Sequence, residues 1–518
     1  MEMNRTRYPI GIQNFENLRS GGWAYVDKTA LVYDLVMNGQ YYFLSRPRRF
    51  GKSLLVSTIE AYFQGKRELF RGLAIDSLTE EWDPHPVFHI DLNAKNYENP
   101  DSLKNTIKVY LDEWEQAYGL DNGRLDIEDR FRILIHEASV QTGRRAVVLI
   151  DEYDKPLLST VHDRELQETY RAILKGFYGV LKSCGADLRF ALLTGVTKFS
   201  KVSVFSDLNN LEDITLNDRY ATICGITPDE LADNFREGIG RMARNLGISD
   251  GDTLALLKEN YDGYHFSSSL TDVYNPFSLL NSLKKGVIGS FWFETGTPTF
   301  LAKMIQREEM DLSDLENEEV DSTRMMTVDL ISDDVIPVLF QSGYLTIQNY
   351  NPLFRIYSLG YPNREVKEGF LNFLLPYYTP RPGKRSAFDI RAFVLDAEQG
   401  RAEAFMKRLT ALFSDFPYDQ VADCERHYHN VVYLVLTLLG FYVRTEYRTS
   451  EGRCDAVMKT DRYIYIFEFK YARSAKEAMR QIQERHYAAP FEADGRQIIR
   501  IGVNFSPDTR TISEYIIE

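Results

Sequence analysis

The stretch GQYYFLSRPRRFGKSLLVSTIEAYFQG, Gly39 to Gly65, allows few folds. An apolar strand, Tyr41 to Leu44, leads through a loop into a helix with apolar residues at Leu54, Leu55, Ile59 and Phe63. Gly51-Lys52-Ser53 at the start of that helix is the tail of a phosphate-binding loop. In such a loop, backbone amides at the helix N-terminus face the phosphates, Lys52 reaches the terminal ones, and Ser53 can hold a magnesium ion. Arg46 stands where the first glycine of the loop is usual, and a bare Gly-Lys-Ser is common by chance.

A second segment strengthens the reading. RRAVVLIDEYDKPL holds a continuous apolar strand, Ala146 to Ile150, that ends in Asp151 and Glu152. A buried parallel strand reads this way, with two carboxylates delivered at its C-terminal edge. Asp151 is placed to hold magnesium, directly or through water, and Glu152 to orient and polarise an attacking water. The plainer alternative is a strand ending in a solvated turn. A third strand, LRFALLTGV, ends in Thr194 and Gly195, with Thr197 just after. Thr194 is a candidate sensor of the γ-phosphate, and a strand-capping threonine explains it nearly as well. Strand and helix patterns alternate through residues 40 to 200, which predicts an α/β fold built on a doubly wound parallel sheet.

Other motifs extend the series: YVDKT from Tyr25, LLTGVTKFSKVSVFSDLNNLEDITL from Leu192, YDGYHF from Tyr261, VYNPFSLL from Val273 and TGTPTFL from Thr295. Together with RPRRFGKSLL and LIDEYDKP, this ordered set resembles the bacterial AAA-ATPase-like family over roughly the first 300 residues. The resemblance implies a P-loop NTPase that binds ATP with Mg2+ and hydrolyses it, with Lys52, Ser53, Asp151 and Glu152 at the matching positions. Arginines at the front of the loop are usual in that family. Arg49, Gly51, Lys52, Ser53, Asp151 and Thr194 form the expected nucleotide-binding set, and what Arg46, Arg48 and Arg49 do near the phosphates is left open.

The capping signal Thr227 with Glu230 opens a segment of helical spacing, read as a helical lid. Arg236, Arg241 and Arg244 lie on it and are read as a solvated helix face, outside the site. Residues 308–334 carry eleven acids and one arginine, Arg324, read as a solvated boundary or flexible connection. VIPVLFQSGYLTI then reads as a helix, a tight turn at Gly343 and a strand, the pattern of a winged-helix-like middle.

The last hundred residues suggest a second chemistry. A helix from Glu425 and a strand FYVRTEY precede GRCDAVMKT and YIYIFEFKYA; a helix through Gln481 and a strand QIIRIGVNF follow. Positions two apart on a strand share a face, so Glu468 and Lys470 are neighbours, and Asp455 comes within reach across a hairpin. Converging carboxylates bind a hard divalent ion, Mg2+ or Mn2+, able to activate water and stabilise charge on a phosphodiester. Lys470 would position the water or neutralise developing charge. Glu425 is a candidate additional ligand and Gln481 a candidate contact to water or substrate. The plainer alternative is an ordinary Glu468–Lys470 salt bridge on a strand edge, but unpaired charge at the end of an apolar run is costly. The element order, with ERHYHN, GRCD, IFEFK and IGVNFS, is similar to the PD-(D/E)XK nuclease superfamily, which implies an α/β restriction-endonuclease-like domain acting on DNA or RNA.

Expected domains are 1–220 for the P-loop unit, 221–400 for the lid and middle, and 401–518 for the nuclease-like unit. The net charge of -14 argues against a protein that coats nucleic acid through a basic surface. Residues 425–518, with 14 basic and 13 acidic side chains, are where such contact is expected on charge alone. The longest apolar run, 431–443, is shorter than a membrane span and is divided at Gly440. Cys184, Cys224, Cys424 and Cys454 show no zinc spacing and are expected as packing residues. The start shows no signal-peptide pattern, so a soluble, cytoplasmic protein is expected, with oligomerisation open. The main rival to a two-enzyme reading is a nucleotide-dependent switch whose nuclease fold binds without cleaving.

Overall fold

The computed structural model describes residues 7–199, 210–293, 299–308, 310–328, 334–378, 390–414, 424–440, 444–447, 455–509 and 511–518. The chain forms two compact units, Met1–Thr295 with Asn317–Val366, and Gly296–Glu316 with Lys367–Glu518.

In the first unit, strands β1 (Tyr41–Ser45), β2 (Val87–Asp91), β3 (Ala146–Asp151), β4 (Leu188–Gly195) and β5 (Glu212–Asp213) form one sheet in the order β2-β3-β4-β1-β5. Every pairing is parallel. All residues of β1 and β3 are buried, which is why their sequences are continuous apolar runs rather than alternating ones. Because β4 lies between β1 and β3, the ends of the three strands meet at one sheet edge, with Ser45 opposite Gly195 and Ile150 opposite Leu193. This is the doubly wound parallel sheet expected from the sequence.

The helical lid follows as Pro228–Asn234, Arg236–Leu246, Asp250–Tyr261 and Pro276–Lys285. Thr227 and Glu230 form the full capping box at its start. Its apolar faces bury Leu231, Phe235, Ile239, Leu257 and Leu283 in one cluster. Arg241 lies inward rather than on a solvated face, donating to the Tyr8 hydroxyl at 2.9 Å and the Leu283 carbonyl at 3.2 Å.

Strands β6 (Glu318–Asp321), β7 (Thr346–Asn351) and β8 (Ile356–Gly360) make a small antiparallel sheet in the order β6-β8-β7. Helix Ile336–Ser342 precedes β7 and ends at Gly343, the helix–turn–strand read from the sequence. The acidic stretch contains the boundary between the two units, between Glu316 and Asn317, but it is not a loose connection. Its described part includes β6 and buried Leu312 and Leu315, and Arg324 neutralises Glu318 at 2.7 Å and Asp334 at 2.8 Å. Apolar residues spaced among the acids give it an inner face, which the charge count conceals.

In the second unit, β9 (Arg444–Tyr447), β10 (Ala456–Lys459), β11 (Tyr463–Tyr471), β12 (Gln497–Ser506) and β13 (Thr511–Ile517) form a mixed sheet in the order β13-β12-β11-β10-β9. Only β11 and β12 pair in parallel, joined through helix Ala475–Glu484. Helix Cys424–Gly440 precedes β9. Among the described residues no helix is long and apolar enough to cross a membrane. Cys184 and Cys224 are buried, as packing residues should be.

Candidate functional site

Gly51 opens helix Lys52–Phe63 at φ 99°, a left-handed conformation that suits glycine and lets the loop turn directly into the helix. Lys52 is 4% exposed. Its Nζ lies 3.0 Å from the Arg46 carbonyl, 3.3 Å from the Pro47 carbonyl and 3.3 Å from Glu152 Oε1. The fold thus brings together the lysine of one strand–helix junction and the glutamate of another, about 100 residues apart. Ser53 sits in the first turn of the helix and is partly buried.

Asp151 is buried at the end of β3, where its Oδ1 accepts from the Thr194 hydroxyl at 2.5 Å and from the Glu152 amide at 3.1 Å. The first of these ties β3 to β4 at the sheet edge. Glu152 has φ 54°, an uncommon backbone conformation for a residue with a side chain. Asp91, opposite Asp151 on β2, has its pKa raised by burial first and also by the charge of Asp151. Carboxylates crowd this edge, and a divalent ion fits that donor chemistry.

The loop arginines do different jobs. Arg46, 1% exposed, lies beneath the loop, donating to the carbonyls of Ser45 at 2.8 Å, Thr215 at 2.8 Å and Tyr220 at 3.1 Å. Its guanidinium also lies 4.3 Å from the centre of the Phe266 ring. Burial pushes its pKa down to about 10. Arg46 therefore holds the loop from inside. Arg49, at φ 69°, is exposed and stacks 3.8 Å from the Phe277 ring centre. Arg48 is exposed, and its carbonyl accepts from Trp292 Nε1 at 3.3 Å.

Beside Gly51 opens an apolar cleft lined by Tyr25, Lys28, Leu54, Cys224 and Leu280 among others. Lys28 Nζ is held by Glu230 at 2.6 Å, so the YVDKT segment is bonded to the first lid helix across the cleft. Its lining suits a mostly apolar ligand group.

The second cluster lies within the other unit. Ala456 on β10 is opposite Phe467 on β11, which sets Asp455 beside Glu468. Asp455 Oδ2 accepts from the Phe469 amide at 2.8 Å. Glu468 is 1% exposed and bonds Lys470 Nζ at 2.7 Å through Oε1, while its buried Oε2 has no hydrogen-bond partner. Burial first, then the Glu468 charge, pushes the Asp455 pKa up to about 7. Burial also raises Glu468, against the lowering influence of Lys470. Gln481 lies near enough to Glu468 to favour its charge and donates to the Tyr487 hydroxyl at 3.1 Å. A buried carboxylate oxygen without a partner, next to a second crowded carboxylate, fits a hard divalent ion. The side chain of Glu425 lies outside the described residues, as do residues 200–209, 295–298 and 452–454 of the quoted motifs.

The chain is 35% identical over 531 residues to a protein of Azotobacter chroococcum mcd 1 described as "Uncharacterized protein in vnfD 5'region", covering 100% of this chain and 99% of that one. A family profile described as predicted AAA-ATPase matches residues 9–205. The chain belongs to the AAA-ATPase-like family. A second profile, PD-(D/E)XK nuclease superfamily, matches residues 423–515 of this AAA-ATPase-like chain. Among solved structures, the Aeropyrum pernix ORC2 protein (ADPNP-ADP complexes) covers 72% of the chain and 96% of itself, at 11% identity and a TM-score of 0.23, a likeness too distant to carry a conclusion.

Two features of the AAA-ATPase-like unit escape a residue-by-residue sequence reading. Lys28 lies inside YVDKT, but its partner Glu230 is 202 residues away. Asp154 follows Asp151 and Glu152 closely, and only its burial distinguishes it from a surface acid.

Proposed function

We propose that this protein hydrolyses ATP at the Lys52–Glu152 site and carries a magnesium-dependent, nuclease-like site at Asp455, Glu468 and Lys470 that acts on DNA or RNA phosphodiesters. The observation that supports it is convergence: Lys52 and Glu152 approach to 3.3 Å, while Glu468 and Lys470 approach to 2.7 Å beside Asp455.

At the first site the cleft beside Gly51 would take the nucleobase, and the amides opening helix Lys52–Phe63 would meet the phosphates. Lys52 would exchange its two loop carbonyls for phosphate oxygens, which keeps its charge matched. Ser53 and Asp151 would hold Mg2+, which supplies charge neutralisation on the phosphates. Glu152, held near Lys52, would orient and polarise the attacking water, and Thr194 would report on the terminal phosphate through its bond to Asp151. Arg49 would meet phosphate by leaving the Phe277 ring. At the second site Asp455 and Glu468 would hold Mg2+ or Mn2+, which supplies water activation and charge stabilisation. Lys470 would neutralise charge developing on the phosphodiester, and Gln481 would orient Glu468 or the water.

The test measures ATP hydrolysis and cleavage of single- and double-stranded DNA and RNA by wild type, Lys52→Ala and Asp455→Ala. Lys52→Ala should lower hydrolysis by about 1,000-fold, and Asp455→Ala should abolish cleavage with Mg2+ or Mn2+. A wild type that cleaves none of these substrates removes the nuclease half. Nucleotide binding without cleavage, with a change in mass by light scattering when ATP is added, would establish the switch instead.

A further inference from the structure

Asp154 is fully buried, yet neither metal binding nor water activation uses it. Its Oδ2 accepts from the Val196 amide at 3.1 Å, the Thr197 amide at 2.7 Å and the Thr197 hydroxyl at 2.7 Å. Its Oδ1 has no hydrogen-bond partner. That oxygen packs against Gly195, where a Cβ would lie 2.6 Å from it and 2.6 Å from the Tyr153 ring. Glycine at 195 is what allows a carboxylate to fit here.

Tyr153 continues the same clamp. Its amide donates to the Thr194 carbonyl at 2.9 Å, and its hydroxyl donates to the Thr197 carbonyl at 2.7 Å. Residues 153 and 154 thereby fasten the turn after β3 to the end of β4, just beyond the Thr194–Asp151 bond. Glu152 lies between the two fastened points, in a left-handed conformation that costs on the order of 1–3 kcal/mol and persists only where its surroundings impose it. Burial first, and then the charge of Glu152, pushes the Asp154 pKa up to about 6, so the two carboxylates are electrostatically linked as well as close in sequence.

We propose that Asp154 is a positioning residue for ATP hydrolysis: through Val196 and Thr197 it locks the β3 turn to β4 and so fixes the direction in which Glu152 presents its carboxylate. The inference rests on the ATPase reading above. It assigns Asp154 no contact with ATP.

The test is a double-mutant cycle on the full chain, with nucleotide affinity measured separately by titration. Asp154→Ala should lower kcat by about 100-fold, the effect of a small misplacement, with nucleotide affinity within about threefold of wild type. In a Glu152→Gln background the same change should cost less than about threefold, because the group it positions is already gone. Asp154→Asn keeps an acceptor for Val196 and Thr197 and should recover at least about tenfold of the loss, while Thr197→Val, which removes one donor, should lower kcat by about three- to tenfold. If Asp154→Ala does not fold, Asp154→Asn and Thr197→Val decide. Wild-type kcat in Thr197→Val, or an undiminished effect in the Glu152→Gln background, overturns the role of Asp154. A wild type that binds ATP without hydrolysing it overturns the ATPase reading and this role together, a result distinct from active wild type with indifferent variants.

Discussion

The two charge clusters balance themselves differently. Around β3 and β4 each acid has protein partners: Asp151 takes a hydroxyl and an amide, Glu152 has Lys52, and Asp154 takes three donors on one oxygen. Around β10 and β11 the two acids share one close cation, Lys470, and Glu468 Oε2 is left without a partner. The first cluster also holds a buried oxygen without a partner, Asp154 Oδ1, but that oxygen is packed against Gly195, and a ligand must enter at Lys52 by exchange. In the second the unpartnered oxygen lies beside another buried carboxylate, Asp455, whose pKa is raised, and a divalent ion would suit that pair of acids.

Three measurements can break that contrast. The largest effect is expected from Gly195→Ala, whose Cβ would meet Asp154 Oδ1 and the Tyr153 ring at 2.6 Å. Forcing it in should cost about 3 kcal/mol, read as lost hydrogen-exchange protection in β3 and β4. Full protection would mean that the network has slack. Next, Asp455→Asn should stabilise β10 and β11 at pH 8 without added divalent ion. The sign follows from a folded pKa of about 7 against 3.8 for the unshifted group: the folded state holds the extra proton, so stability falls as pH rises from about 4 to about 7. The gain should vanish near pH 4, and Mg2+ should stabilise wild type but not the variant. A destabilised Asp455→Asn at pH 8 would show that the second cluster is already balanced. The smallest effect is expected from Glu152→Gln, which should lose about 1 kcal/mol by removing the ion pair to Lys52. A gain there would erase the difference in sign between the clusters.

What the sequence reveals follows the range of its signals. β1, β3 and β4 are visible as apolar runs because strands buried on both faces need no polar alternation. Glu468 and Lys470 are visible as neighbours because a strand repeats every two residues. The capping box at Thr227 is visible because it spans one helical turn. Other features are settled by encounters between distant segments. The cleft joins residues near 25, 54, 224 and 280, and no local period marks such a set. Arg46 reads as a loop cation until Thr215 and Tyr220 supply carbonyls beneath it. The acidic stretch reads as solvated because net charge averages over the faces of β6.

The interruption of each unit by the other has a consequence for synthesis. Residues 296–316 emerge before 317–366, yet they belong to the unit completed by 367–518. Within that unit the Leu312 amide donates to Asn430 Oδ1 at 2.9 Å, and Asn430 Nδ2 donates to the Met310 carbonyl at 3.0 Å. A ribosome must therefore make more than a hundred further residues before the early segment can meet its partner. No single cut releases the nuclease-like unit whole, because a fragment beginning at 367 leaves its first strip of chain behind. The two units are spliced into one another at the level of the chain, across residues 296–366.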